Sequence, residues 1–202
     1  MGALAGIRRE ATGLDREAML EESDEMLMAA IASGDQRSLR ILMDRHMTTV
    51  IRLSERILLA QSEADDIAQE AFFRVWRNAA RFDPLRATFK TWLYRIVVNL
   101  AIDRKRRFVP APIEAAADQP CAAPDALAAV IEAERRRDVE TALALLPEKQ
   151  RVAIALFHFQ GLSAKEAAAV MCISGKAFES LLTRARMALR QQIAHELMAR
   201  RI

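Results

Sequence analysis

The sequence predicts an all-α protein: two small helical domains joined by a flexible Pro/Ala-rich linker, the second domain containing a helix-turn-helix. Three observations carry this expectation. Glycine and proline number only 6 each among 202 residues, about half the usual share, so the chain lacks the punctuation that many hairpins need. Apolar residues recur three or four apart through most of the chain, which is the spacing of one helical face. Four of the six prolines (Pro110, Pro112, Pro120 and Pro124) gather in one stretch, which divides the helical sequence in two.

Residues 1–22 are polar without a periodic face and read as a loose N-terminal extension. Ser23 is placed to cap a helix, with Asp24 and Glu25 suited to its positive end. Met26, Leu27, Ala30 and Ile31 mark its apolar face, and Gly34-Asp35 ends it. A long helix follows, striped by Leu39, Leu42, Met43, His46, Val50, Leu53, Ile57 and Leu58. Ser62-x-x-Asp65 reads as a capping box opening a helix with Ile67, Ala71, Phe72, Val75 and Trp76 on one stripe. Asp83-Pro84 breaks the pattern, because proline disfavours a helical residue before it. A helix over 87–107 resumes with Phe89, Trp92, Leu93, Ile96, Val97, Leu100 and Ile102, and ends in Arg104-Lys105-Arg106-Arg107. Residues 23–108 are thus the first domain and 109–132 the linker.

The second domain, 133–202, begins within a helix expected from Leu127 to Leu146. Pro147 suits the first position of the next helix, over 148–159, and Gly161 suits a left-handed cap. Ser163-Ala-Lys-Glu166 is a second capping box, before the apolar run Ala167 to Met171. Cys172-Ile173-Ser174 makes the tight connection, with Ile173 plugging the turn, and a final helix runs from about Gly175 to Met198.

Charge sharpens the division. The formal net charge is +3, from 30 basic and 27 acidic side chains. Residues 109–132 hold four acids and no base, so an acidic spacer separates two basic blocks. Cys121 and Cys172 are the chain's 2 cysteines and suggest a reducing compartment without a disulfide framework. No apolar run approaches the ~18 residues of a membrane span. No apolar segment follows Arg8-Arg9, so a cytoplasmic location is expected. No phosphate-cradling glycine loop is present.

Three constellations remain as candidates for function. Residues 163–187 have the layout of a helix-turn-helix, in which a second helix enters the major groove. Leu181, Leu182, Ala185 and Leu189 are expected in its core, and Lys176, Phe178, Glu179, Ser180, Thr183, Arg184 and Arg186 near its outer face. An ordinary helical hairpin with solvated charges has the same pattern. Residues 82–107 interleave Phe82, Phe89, Trp92 and Tyr94 with Arg86, Lys90, Arg95 and the terminal basic run. Cations track phosphates and aromatic faces stack on unpaired bases, so this block suits melted nucleic acid. Equally, Phe89, Trp92 and Ile96 are candidates for core, with the cations snorkelling around them. Asp65, Asp66 and Glu70 share one helix. They fit a partner-binding acidic face better than a hard-cation site, because no second acidic cluster faces them. His46, His158 and His195 have no metal-ligand spacing. No metal, cofactor or nucleophile–base pair is expected.

Five segments, in order, resemble those of one family. Glu63-Ala-Asp-Asp-Ile-Ala-Gln-Glu-Ala-Phe-Phe-Arg-Val-Trp76 is similar to the core-polymerase-binding helix of bacterial sigma factors. Thr88-Phe-Lys-Thr-Trp-Leu-Tyr-Arg-Ile-Val-Val-Asn-Leu-Ala-Ile-Asp-Arg-Lys-Arg-Arg107 is similar to the adjoining promoter-melting helix. Leu146-Pro-Glu-Lys-Gln-Arg151, Gly161-Leu-Ser-Ala-Lys-Glu-Ala-Ala168 and Thr183-Arg-Ala-Arg186 resemble parts of that family's C-terminal domain. Their order and spacing match the two-domain extracytoplasmic-function (ECF) group of the sigma-70 superfamily, over about residues 24–107 and 133–192.

The resemblance implies a dissociable, non-catalytic sigma subunit that directs RNA polymerase to the promoters of a stress or extracytoplasmic-signal regulon. Core RNA polymerase, promoter DNA and an anti-sigma factor are the implied partners, with no membrane insertion and no cofactor. Asp65, Asp66, Gln69, Glu70 and Phe73 match the face that docks on the polymerase. The loop from Phe82 to Lys90, with Asp83, Arg86 and Phe89, matches the pocket for a base flipped from the minus-ten element. Trp92, Tyr94, Arg95, Asn99, Asp103 and Arg104 match its supporting helix. The helix from Ser174, with Lys176, Phe178, Glu179, Ser180, Thr183, Arg184 and Arg186, matches the reader of the minus-35 element. One departure stands out: the family usually has a basic residue where this chain has Glu179, and often another where it has Leu181. Glu179 fits either an acceptor for a cytosine amino group or a solvated charge that weakens phosphate binding. A stand-alone repressor or activator would use residues 133–202 alone. A decoy that titrates an inhibitor would need no DNA contact, and a magnesium enzyme would use Asp65, Asp66 and Glu70.

Overall fold

The computed structural model describes residues 22–60, 62–107, 139 and 141–199. Residues 1–21, the linker and most of the helix expected over Leu127–Leu146 lie outside them. All regular secondary structure among the described residues is helical, with no strand.

The first domain packs α1 (Asp24–Ala32), α2 (Gln36–Leu58), α3 (Ala64–Asn78) and α4 (Phe89–Arg107). Ser23 caps α1 as expected, its hydroxyl accepting from the Met26 N–H at 3.2 Å. Asp35 caps α2 by accepting from the Arg37 and Ser38 N–H groups. The Ser62–Asp65 box does not form: Glu63 occupies the N-cap of α3 without a side-chain bond. There the first-turn carboxylates Asp65 and Asp66 favour the helix start through its dipole alone. A 3₁₀ turn, Ala79–Arg81, leads into the Asp83-Pro84 break. Leu27, Leu42, Leu53, Ile57, Ile67, Phe72, Phe89, Leu93 and Val97 are among the buried side chains of this core.

In the second domain, α5 (Glu148–Ile154) continues into a single π-helical turn, Ala155–Phe159, and then come α6 (Ala164–Val170) and α7 (Gly175–Ala199). The wide turn re-aims the chain into Gly161, whose φ of 66° is open to glycine without a side-chain penalty. The Ser163–Glu166 capping box is complete, with both reciprocal bonds made. The Ser163 hydroxyl and then its backbone N–H hold the Glu166 carboxyl below its ordinary range, against the opposing effect of burial. Ala167 is fully buried where α6 meets α7. Ile173 does not plug the turn: it is exposed, and backbone bonds from Cys172 and Ile173 to Ala169 and Ala168 close the turn instead.

The core of the two domains is continuous. α4 packs on α6, and α2 on α5 and the π turn. The Tyr94 hydroxyl donates to Gln160 Oε1 at 3.0 Å, and Arg95 donates to the Ala169 carbonyl at 2.6 Å. The Arg56 guanidinium lies 4.2 Å from the centre of the Phe159 ring.

Candidate functional site

Three surfaces carry the residues singled out from the sequence. On α3, helical periodicity buries Ile67, Ala68, Ala71, Phe72 and Val75 and turns Asp65, Asp66, Gln69 and Phe73 to the opposite side. Phe73 is 53% exposed, unusual for so large an apolar ring, and the Arg77 guanidinium approaches its face at 5.5 Å. Arg74 pairs with Glu70 at 2.8 Å one turn away. Asp66, Gln69, Glu70 and Phe73 line a shallow groove that Asp103 and Arg104 complete from α4. Arg104 reaches Asp66 at 3.5 Å and Glu63 at 4.0 Å. Asp103 and Arg104, grouped from the sequence with the aromatic block, therefore stand on the acidic groove. An acid–apolar groove of this kind suits a partner with basic and apolar side chains.

The second surface is the loop and helix over 82–95. Phe82 packs on Trp92 at 5.4 Å and edge-on to Phe89 at 6.3 Å, and Phe89 lies 6.4 Å from Trp92. Phe89 is fully buried and Trp92 half-buried, so this cluster is core at its base and open at its rim. Asp83 shapes the loop by accepting from the Leu85 N–H at 3.0 Å and pairing with Arg86 at 3.2 Å. Leu85 is 96% exposed at the tip. Arg86, Lys90 and Asn99 are exposed. Tyr94 and Arg95 are not on this open face, being engaged by Gln160 and Ala169 of the second domain. Burial pushes the Tyr94 phenol up to about 12.

The third surface is the start of α7. Ser174 caps it, its hydroxyl accepting from the Ala177 N–H at 3.2 Å. Ser174, Lys176, Glu179, Ser180, Thr183, Arg184 and Arg186 are exposed. Phe178 is the exception: expected on the outer face, it is fully buried 6.4 Å from Phe157. The helix turns 100° per residue, so Phe178 falls on the stripe of Leu181, Leu182 and Ala185. The hydroxyls of Ser180 and Thr183 donate to carbonyls four residues back, leaving their lone pairs outward. Arg186 turns towards the domain body, donating to His158 Nε2 at 3.2 Å and lying 5.2 Å over the Phe157 ring. Burial and then the Arg186 charge hold the His158 pKa below its ordinary value.

Sequence reasoning missed Gln160, Asp24 and Glu25, whose contacts span 66, 22 and 64 residues. No local pattern reports pairings at such separations. Among the described residues, no three His, Cys, Asp or Glu side chains come together as a metal site, and no helix is long and apolar enough to cross a membrane.

Residues 42–108 match the family model for Sigma-70 region 2, and residues 136–189 match that for Sigma-70, region 4. The chain is 32% identical to the ECF RNA polymerase sigma factor SigW of Bacillus subtilis, over 81% of this chain and 92% of that one. It is 32% identical to SigE of Mycolicibacterium smegmatis, over 87% of this chain and 71% of that one. The solved structure of CnrH in complex with the cytosolic domain of CnrY superposes with a TM-score of 0.67 at 30% identity, covering 86% of this chain and 99% of that one.

Proposed function

The chain belongs to the ECF group of the sigma-70 family, and from that premise we propose how its three surfaces divide the work of transcription initiation. It is a sigma subunit that brings RNA polymerase to promoters. The acidic groove of α3 (Asp65, Asp66, Gln69, Glu70 and Phe73, with Asp103 and Arg104 at its edge) docks on core polymerase. The loop from Phe82 to Lys90 captures a base flipped from the minus-ten element, with Trp92 and the basic side chains around it holding the unpaired strand. The exposed face of α7 reads the minus-35 element.

The observation that carries this reading is the loop itself. Its apolar tip, Leu85, is 96% exposed, the Phe82 and Trp92 rings at its ends are packed together and only half-buried, and Arg86 and Lys90 between them in sequence are exposed. An unpaired base gains stacking there that a paired one does not. Unstacking a base costs about a few kcal/mol, which such contacts offset. Melting therefore draws on binding energy, and the chain itself catalyses no reaction. Each promoter element alone binds weakly, and joining both domains to one polymerase raises their effective concentration.

The interdomain contacts of Tyr94 and Arg95 bear on regulation. While they hold, those two side chains are withheld from DNA. An anti-sigma factor that favours the closed arrangement would silence the chain. The cytoplasm, where polymerase works, is the proposed location. Reconstituted transcription with core polymerase tests the reading: promoter-specific transcripts are expected from promoters upstream of genes induced by overproducing the chain. Their absence, with polymerase shown to be active with another sigma factor, refutes it.

A further inference from the structure

The two carboxylates that open α1 reach out of their own helix. Ser23 already caps that helix, and acids in a first turn need nothing beyond the dipole. Asp24 nevertheless accepts from Arg45 Nη1 at 2.7 Å with one oxygen and meets His46 Nε2 at 2.7 Å with the other. Burial would raise its pKa, but the hydrogen bonds from His46 and Arg45 prevail and hold it below the usual carboxylate value. Glu25 Oε1 accepts the backbone N–H of Phe89 at 3.1 Å.

Phe89 is the first residue of α4, where the 82–88 loop becomes helix. The opening N–H groups of a helix have no acceptor within it. Thr88 takes that of Thr91 at 3.3 Å, and Glu25 takes that of Phe89. The same turn of α1 also reaches the Phe89 ring, because His46, held by Asp24, lies 5.4 Å from it. Both the backbone and the ring of Phe89 are thus fixed from α1. Phe82, at the other end of the loop, leans on Phe89 and Trp92. A loop whose tip is solvent-exposed owes its shape to how its ends are held, and here both ends converge on Phe89.

A free carboxylate beside a strand-capturing loop would repel phosphate. Glu25 instead points inward at a helix N-terminus, where its charge meets the positive end of the dipole and the bond is strengthened by that charge. We propose that Glu25 is a positioning residue for promoter opening: by capping α4 at Phe89 it sets the geometry of the base-capturing loop without touching DNA. The inference rests on the assignment of that loop to the minus-ten element.

The test uses holoenzyme assembled from core polymerase and the full chain, on a promoter that the wild type transcribes. Permanganate reactivity of unpaired thymines measures opening, and filter binding at low temperature measures the closed complex. Glu25→Ala removes the acceptor and is expected to lower opening about tenfold, the scale of one lost charge-assisted hydrogen bond, while closed-complex affinity stays within about twofold. Glu25→Gln keeps an acceptor oxygen and is expected to restore most of the opening. Wild-type opening by Glu25→Ala overturns the inference, as does a Gln variant as impaired as the Ala variant. Equal loss of closed-complex binding and opening overturns it too, since that marks a merely structural role. Wild-type opening by a variant with both Arg86→Ala and Lys90→Ala, two exposed cations of the loop, overturns the assignment of the loop, and this inference with it.

Discussion

Replacing Gln160 by alanine should open the two domains. Tyr94 is fully buried, and its hydroxyl donates to Gln160 at 3.0 Å. With the phenol pKa pushed up to about 12 by burial, Tyr94 is a protonated donor at any physiological pH. The alanine variant leaves that hydroxyl without its acceptor in the closed arrangement. In the open arrangement water serves it equally well in both proteins, so the penalty falls on closure alone. An orphaned buried hydroxyl costs about 1–3 kcal/mol, which shifts the closed-to-open ratio roughly 5–150-fold. Tyr94→Phe removes donor and penalty together and should shift the ratio less. Fluorescence energy transfer reads the change, with dyes on Met26→Cys and Met187→Cys, which are exposed on α1 and α7, in a background with both native cysteines replaced by serine. Lower transfer efficiency is expected for Gln160→Ala at unchanged helical content. The same interaction predicts alkaline opening: the folded pKa is raised, so the contact is at full strength below pH about 10 and is lost as pH rises towards about 12. An unchanged transfer efficiency in the variant refutes the reasoning, because it would mean that the Tyr94–Gln160 bond contributes nothing to closure.

Charge reversal at the acidic groove, Asp66→Lys with Glu70→Lys, should weaken core-polymerase binding by at least about tenfold, measured by competition with another sigma factor. Asp66 is largely and Glu70 partly exposed, and their partners Arg104 and Arg74 keep access to solvent, so thermal stability should change little; unchanged affinity would remove the groove from the docking face. Phe178→Ala, at a fully buried site against Phe157, should cost about 3–5 kcal/mol of stability, read by denaturant titration. Retention of full stability would contradict its placement in the core. Glu179→Ala should leave stability unchanged and alter preference at one minus-35 position in a promoter-library selection. A uniform change across promoters would make Glu179 an electrostatic residue instead.

Much of this protein was legible in order along the chain. Helical periodicity separated the exposed Asp65, Asp66, Gln69 and Phe73 from the buried Ile67, Ala71, Phe72 and Val75, because a face repeats every three or four residues whatever packs on it. Ser23, the Ser163–Glu166 box and Gly161 were readable for the same reason: caps and left-handed turns are decided within a few residues. Phe178 was misplaced against the helix's own periodicity: it precedes Leu181, Leu182 and Ala185 by three, four and seven residues and so shares their buried face. Its ring packs 6.4 Å from that of Phe157.

The sequence by itself therefore determined the helices, the division by composition into two basic blocks, and the motifs that mark the family. Tertiary structure decided what joins them. It carried Arg104 from the aromatic block to the acidic groove, brought Tyr94 and Arg95 against the second domain, and placed Glu25 beneath the N-terminus of α4. Each of these is a hydrogen bond or ion pair between residues tens of positions apart. The physical reason is the range of the interactions: propensity, capping and periodicity act over one or two turns of chain, whereas these pairings exist only once separate helices have been packed together by their apolar faces.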